Sequence, residues 1–263
     1  KTGWSAAGEF VTIGTPAVAA KGASNIAETS VTMNAKITSI GGVSYTVPTP
    51  MDATAYTGIN LWLKADSGIS GNTWTDNSGN GNHATKSGSP SVVTSNGMPV
   101  MRYNGSGQFH SFTNMNNIRT IFWVIKEDAG ANNHRPLLGD NNRHDFHPNG
   151  NKAFHSSWTN ANIRNGDFFY NGETKDGLTT NKPNALTVVS LRTAGNVEAS
   201  RTSKDRGDNN RCWKGDLAEL LIFTSPLTDG EMRDIEGKLA WKWGLQGDLV
   251  SGHPHAGTDP NSL

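Results

Sequence analysis

Four groups of residues in this 263-residue chain have types and spacings that could do chemistry. The first is Asp216-Leu217-Ala218-Glu219. Glycoside hydrolysis needs two carboxylates flanking the scissile bond. On a strand, however, residues i and i+3 point to opposite faces, so this pair is not expected to converge. The second is the set of eight histidines, densest at His144-Asp145-Phe146-His147 and at His253-Pro254-His255. Structural zinc draws heavily on Cys within short spacings, and the single cysteine, Cys212, stands alone beside Trp213. Surface histidines in an Asn-rich loop are the simpler reading, and Cys212 reads as a buried, inert thiol. No Gly-x-Ser-x-Gly elbow is present to supply a hydroxyl nucleophile. We expect no catalytic residues and no enzyme activity.

The third group is Asp76, Asn77, Asn80 and Asn82, which offer several oxygens in one tight loop. Calcium takes 6–8 oxygen ligands and is the metal such a loop could bind, although no cofactor is required. Asx turns need the same residues for their own backbone bonds, and the low carboxylate count favours the turn.

The fourth group lies between residues 128 and 165. It comprises Arg135, Asp140, Asn141, Arg143, His144, Asp145, His155, Trp158 and Arg164, with Asn132, Asn133, Asn142, Asn160 and Asn162 among them. An aromatic platform beside amide, carboxylate and guanidinium groups is the composition of a sugar site, and long loops on a rigid scaffold are where binding residues gather. The alternative is a solvated loop with Trp158 and Phe154 turned into the core.

The elements that must position these groups read mostly as strands. Short apolar runs recur at Ile59–Lys64, Met98–Tyr103, Thr120–Lys126, Leu186–Leu191 and Leu217–Phe223, with weaker ones at Lys152–Trp158, Asp167–Tyr170 and Asn196–Thr202. Turn chemistry such as Ser78-Gly79-Asn80-Gly81 separates them. One helix is signalled: Thr228-Asp229-Gly230-Glu231 is a capping box, Leu227 and Met232 sit where a staple would close, and Gly244 supplies the stop. Met232, Ile235, Leu239 and Trp243 then form an apolar stripe. Upstream, residues 1–47 hold about three strands, the clearest alternating from Val31 to Thr38. That is roughly half an immunoglobulin-like domain. Its open edges must be covered by a neighbouring copy, by the same chain, or by sequence beyond it. Residues 48–58, with Pro48 and Pro50, read as a linker to a domain over residues 59–263.

The runs Leu61-Trp62-Leu63-Lys64-Ala65-Asp66 and Trp74-Thr75-Asp76-Asn77-Ser78-Gly79-Asn80-Gly81-Asn82 resemble the opening of laminin-G-like domains of the concanavalin A-like lectin/glucanase superfamily. The stretch from Trp213 to Phe223, Ile235-Glu236-Gly237-Lys238-Leu239-Ala240-Trp241-Lys242-Trp243-Gly244-Leu245 and Gly252-His253-Pro254 resemble its close. The first 47 residues resemble part of a fibronectin- or immunoglobulin-like module. The resemblance implies an all-β, two-sheet antiparallel jelly-roll sandwich with one C-terminal helix. It also implies an extracellular setting on a cell or virion surface, and binding of glycans or proteins. Glucanases of this superfamily carry Glu-x-Asp-x-x-Glu on one strand, and that run is missing here.

Composition narrows the classes further. Basic and acidic residues balance at 23 each, without the surplus that phosphate backbones demand. No run reaches the roughly 18 apolar residues of a transmembrane helix, and Lys1 to Val11 has no signal-like apolar core. The expected function is therefore adhesion through a glycan or surface protein. The alternative is a structural subunit of an extracellular filament or virion surface, in which residues 1–47 join identical subunits.

Overall fold

The structure, a computed structural model, describes residues 51–95, 97–131 and 134–260. The expectations for residues 1–47 lie outside these residues. Residues 51–260 form one compact unit. Its strands are β1 (Ile59–Lys64), β2 (Ile69–Ser70), β3 (Thr73–Trp74), β4 (Ala84–Ser87), β5 (Ser91–Ser95), β6 (Met98–Asn104), β7 (Phe109–Glu127), β8 (Asp167–Tyr170), β9 (Glu173–Thr174), β10 (Thr187–Arg201) and β11 (Lys214–Phe223). The helices are the single turn α1 (Ala161–Arg164) and the longer α2 (Asp229–Lys242). The chain is all-β in class, every strand pairing is antiparallel, and hydrogen bonding runs unbroken through all eleven strands.

The centre is apolar because its sequence is. In β11 every residue from Gly215 to Phe223 is buried, and β7 runs beside it with Ile121, Phe122, Trp123, Val124 and Ile125 equally enclosed. Each such side chain contributes about 1.5–3 kcal/mol on burial. β7 lies between β10 and β11, while β11 pairs on its other side with β6 and then β1. β1 and β8 have the bounds their sequence predicts. The run Lys152–Trp158 is instead a series of turns, because its backbone is claimed by side chains described below.

Helix α2 forms as its sequence dictates. The Thr228 hydroxyl accepts from the Glu231 N–H at 3.3 Å, and the Glu231 carboxylate accepts from the Thr228 N–H at 2.8 Å. Leu227, Met232, Ile235, Leu239 and Trp243 are all buried, and Gly244 ends the helix at φ +70°. Met51, Ala53 and Tyr56, within the stretch read as linker, are buried in the same core, and the Tyr56 hydroxyl donates to Asp234 on α2. No helix among the described residues is long and apolar enough to cross a membrane.

The sheet edges are handled unequally. The outer side of β1 is capped by residues 74–82. Trp62 N donates to Asp76 Oδ1 at 2.8 Å, and Asn77 N donates to Trp62 O at 2.8 Å. The Asn82 amide donates to Asn60 O at 2.8 Å and the Trp74 indole to Lys64 O at 2.8 Å. Unpaired strand edges invite other chains, and these side chains close this one.

Candidate functional site

The Asp76 loop is built inward. Besides the Trp62 N–H, the Asp76 carboxylate accepts from Ser78 N at 2.9 Å, Ser78 Oγ at 2.7 Å and Asn82 N at 2.9 Å. Four donors thus occupy both oxygens. The side-chain nitrogens of Asn77, Asn80 and Asn82 are directed at the carbonyls of Trp62, Ile59 and Asn60. A cation would meet N–H groups here, and the residues expected as its ligands serve as the cap on β1.

The two carboxylates of β11 also have separate structural tasks. Asp216 pairs with Arg102 at 2.8 Å and Lys126 at 3.0 Å. Glu219 is fully buried and accepts from the indoles of Trp62 at 2.6 Å and Trp243 at 2.7 Å, and from Lys242 at 2.6 Å. Their partner sets share no residue. Cys212 is buried, and burial raises its thiol pKa.

The stretch between 134 and 164 is different. Its foundation is a set of turns that use up many of its polar groups. Asp140 is buried and accepts from Asn142 N at 2.7 Å, Arg143 N at 2.9 Å and Ser200 Oγ at 2.5 Å. Burial alone would raise its pKa, but these bonds outweigh it and hold the carboxyl below its usual range. Asp145 Oδ2 accepts from Glu198 N at 2.8 Å, tying the loop to β10. The turn carrying Trp158 is fixed from inside. His155 Nδ1 accepts from Ser157 N at 3.0 Å and Trp158 N at 3.2 Å, and the Arg164 guanidinium donates to Ser156 O at 2.8 Å and Thr159 O at 3.0 Å. Thr159 Oγ1 links this turn to His147 O at 2.5 Å.

On that base sits one exposed aromatic surface. Trp158 is 59% exposed, and Phe154, its alternative partner in the core, is buried against Phe168 with ring centroids 4.9 Å apart. Around the indole, the ring centroids of His144, His155 and His147 lie at 6.0, 6.3 and 6.5 Å. His134 stacks on His147 at 5.8 Å. His147 Nδ1 faces Asp205 Oδ2 at 3.4 Å. Burial works against ionisation of Asp205, yet hydrogen bonds from His147, Arg206 and Arg211 keep its carboxylate charged far below the usual range. Partial burial and the neighbouring His147 and His134 lower the pKa of His155. Next to the rings opens a small cleft of about 180 Å³, lined in part by Arg143, His144, His147, Glu198 and Asp205.

Of the nine residues singled out from sequence, the structure groups His144, His155 and Trp158 at this surface, with exposed Arg143 and Asn141 nearby in the chain. Asp140, Asp145 and Arg164 shape the loops beneath. Arg135 is turned away and buried, donating to Ala131 O beside Gly105. His134, His147, Glu198 and Asp205 belong to the surface without having been singled out. The crowding of four of the eight histidines between residues 134 and 155 was the available signal for the first two. Glu198 and Asp205 arrive from β10 and the loop after it, and local spacing gives no hint of them.

The imidazoles are not disposed for metal. Among the described residues no three His, Cys, Asp or Glu side chains could together hold an ion. His155 also accepts two backbone N–H groups at Nδ1, which places its proton on Nε2, the nitrogen that would face a ligand.

No family model, curated protein or solved structure matches this chain.

Proposed function

We propose that this chain is a non-catalytic binding module of a cell or virion surface, and that the surface centred on Trp158 holds a carbohydrate chain. The observation that carries the reading is an indole 59% exposed at the top of a turn whose backbone is held by His155 and Arg164. Exposing so large an apolar ring costs hydration free energy, and the rigid turn beneath shows that it is not there through slack. A flat aromatic face stacks on the apolar face of a sugar ring, while His144, Arg143 and Asn141 offer donors and acceptors to its hydroxyls. The adjoining cleft is smaller than the roughly 300–1,000 Å³ of small-molecule pockets. The ligand therefore lies across the surface. The two-sheet jelly-roll form implied by the sequence resemblance is part of this proposal.

The test is retention on an immobilised glycan panel, with wild type beside Trp158→Ala. Binding by wild type that Trp158→Ala abolishes, with an unchanged melting profile, supports the reading. Retention that is indifferent to Trp158, or the lack of any glycan ligand, would remove it.

A further inference from the structure

Three large apolar side chains are exposed among the described residues: Trp158, Val92 and Val93. The two valines lie on β5, far from the subject of the preceding proposal and independent of it. β5 pairs with β6 and with no other described strand, so the backbone groups on its second side have no strand partner. Val92 is 42% and Val93 38% exposed, and since neighbouring side chains on a strand point to opposite faces, both faces of β5 are open.

The other edges of the sheet are protected. β1 is capped by residues 74–82, and β2 and β9 are two residues long. β5 carries none of the usual protections. Its sequence Ser91-Val92-Val93-Thr94-Ser95 has no charge and no proline, and its register with β6 is unbroken by a bulge. A neutral edge selects neither an acidic nor a basic partner. It does match itself. Read antiparallel about its middle residue, Ser91 meets Ser95, Val92 meets Thr94 and Val93 meets Val93, which places like with like and no two charges together. A strand that is nearly palindromic in chemistry fits an isologous contact, the commonest geometry of homodimers.

We propose that β5 is a self-recognition edge, through which two copies of this chain join their sheets antiparallel about a two-fold axis at Val93. Such a contact closes on itself and gives dimers, not filaments. Two five-residue strands bury well below the roughly 1,600 Å² of a standard stable interface. The dimer is therefore reversible and concentration-dependent, in keeping with a surface module whose avidity rises when it is displayed densely.

The experiment is sedimentation velocity of the full chain over a wide concentration range, with Val93→Lys beside wild type. Wild type should show a monomer–dimer equilibrium that Val93→Lys weakens at least about tenfold by setting two ammonium groups opposite each other. Cysteine crosslinking fixes the register without relying on that variant. Val93→Cys should oxidise to a dimer, and Ser91→Cys should crosslink when mixed with Ser95→Cys but not by itself. Cys212 is buried and does not interfere. Ser251→Cys, exposed elsewhere, is the control for random encounter. A monomer at every concentration, a dimer untouched by Val93→Lys, or crosslinking no better than Ser251→Cys would overturn the proposal.

Discussion

The loop over residues 74–82 and the loops between 134 and 164 are built from the same materials, Asn, Asp, Gly, His and a tryptophan, and they use them in opposite ways. The first turns everything inward. Trp74 is fully buried, the Asp76 carboxylate is filled by four donors, and the asparagine amides cap the edge of β1. The second also spends Asp140, Asp145 and Arg164 on its own turns, but it leaves Trp158 in solvent with three imidazoles beside it. The lesson is that a cluster of polar residues does not identify a site. What separates a strap from a binding surface is whether the hydrogen-bonding groups are already satisfied, and where the aromatic ring faces.

The sharpest way to break the comparison is at Asp76. Asp76→Ala removes the acceptor for the N–H groups of Trp62, Ser78 and Asn82, two of which belong to buried residues, and reopens the edge of β1. With about 1–3 kcal/mol for each buried group left unpaired, the expected loss is about 3–5 kcal/mol, read from urea denaturation. Because the carboxylate is already filled, millimolar calcium or EDTA should leave the melting temperature of wild type unchanged. A calcium-dependent rise in melting temperature would return the loop to the metal reading.

Next in size is an effect of pH, which separates the core histidine from those at the surface. His110 is buried, with Nδ1 2.8 Å from the Tyr103 hydroxyl, and burial pushes its pKa down from 6.5 to about 4. Its folded form resists protonation while the unfolded chain takes up a proton near pH 6.5. The unfolded state is then favoured progressively as pH falls through this window. Stability should be constant from this group above pH 6.5 and fall by about 3 kcal/mol by pH 4. The measurement is the urea midpoint across pH, with His110→Gln as the variant that flattens this portion of the curve. An equal slope in both proteins would mean that His110 is solvated.

How much of this was legible in the sequence follows from where the period survives. The central strands and α2 declare themselves because their buried positions recur at two or at three-to-four residues. The first half of β7 does not. Its buried residues Phe109, Phe112, Met115 and Ile118 are spaced by three, which suits neither a strand nor a long helix. The cause is its pairing with β10: Val197 and Ala199 are two apart, while their partners Ile118 and Met115 are three apart, so bulges interrupt the alternation. β5 was recoverable, since Val92-Val93-Thr94 precedes Asn96-Gly97, a strong hairpin signal. At the site, the aromatic platform and the histidine crowding were legible. The inward role of Arg135 was not, because a partner such as Ala131 O depends on a loop path that no local pattern encodes.

A smaller effect tests whether the turn beneath Trp158 matters to what lies above it. Arg164→Ala removes three-atom-apart donors that hold Ser156 O and Thr159 O from one planar group. Both carbonyls can turn to water, so the expected cost to global stability is about 1 kcal/mol. Glycan retention should nonetheless fall, although Arg164 does not reach the indole. Arg164→Lys should not restore it, because a point charge cannot span two carbonyls as the guanidinium fork does. Full retention in both variants would mean that Trp158 holds its orientation without the clamp.

The smallest expected change in stability belongs to the residue with the largest expected change in function. Trp158 has most of its side chain in water, so Trp158→Ala creates no cavity and leaves no buried group unpaired. Its urea midpoint should shift by no more than about 0.5 kcal/mol equivalent, the range of surface substitutions. By contrast Trp74→Ala, at the fully buried tryptophan of the other loop, should cost about 3–5 kcal/mol by opening a cavity and freeing Lys64 O. Two tryptophans in loops of like composition would then differ tenfold in what they give to the fold, and in the reverse sense in what they give to binding. If Trp158→Ala instead destabilised the protein to the same degree as Trp74→Ala, the indole would be core and the platform at the top of the turn would not exist.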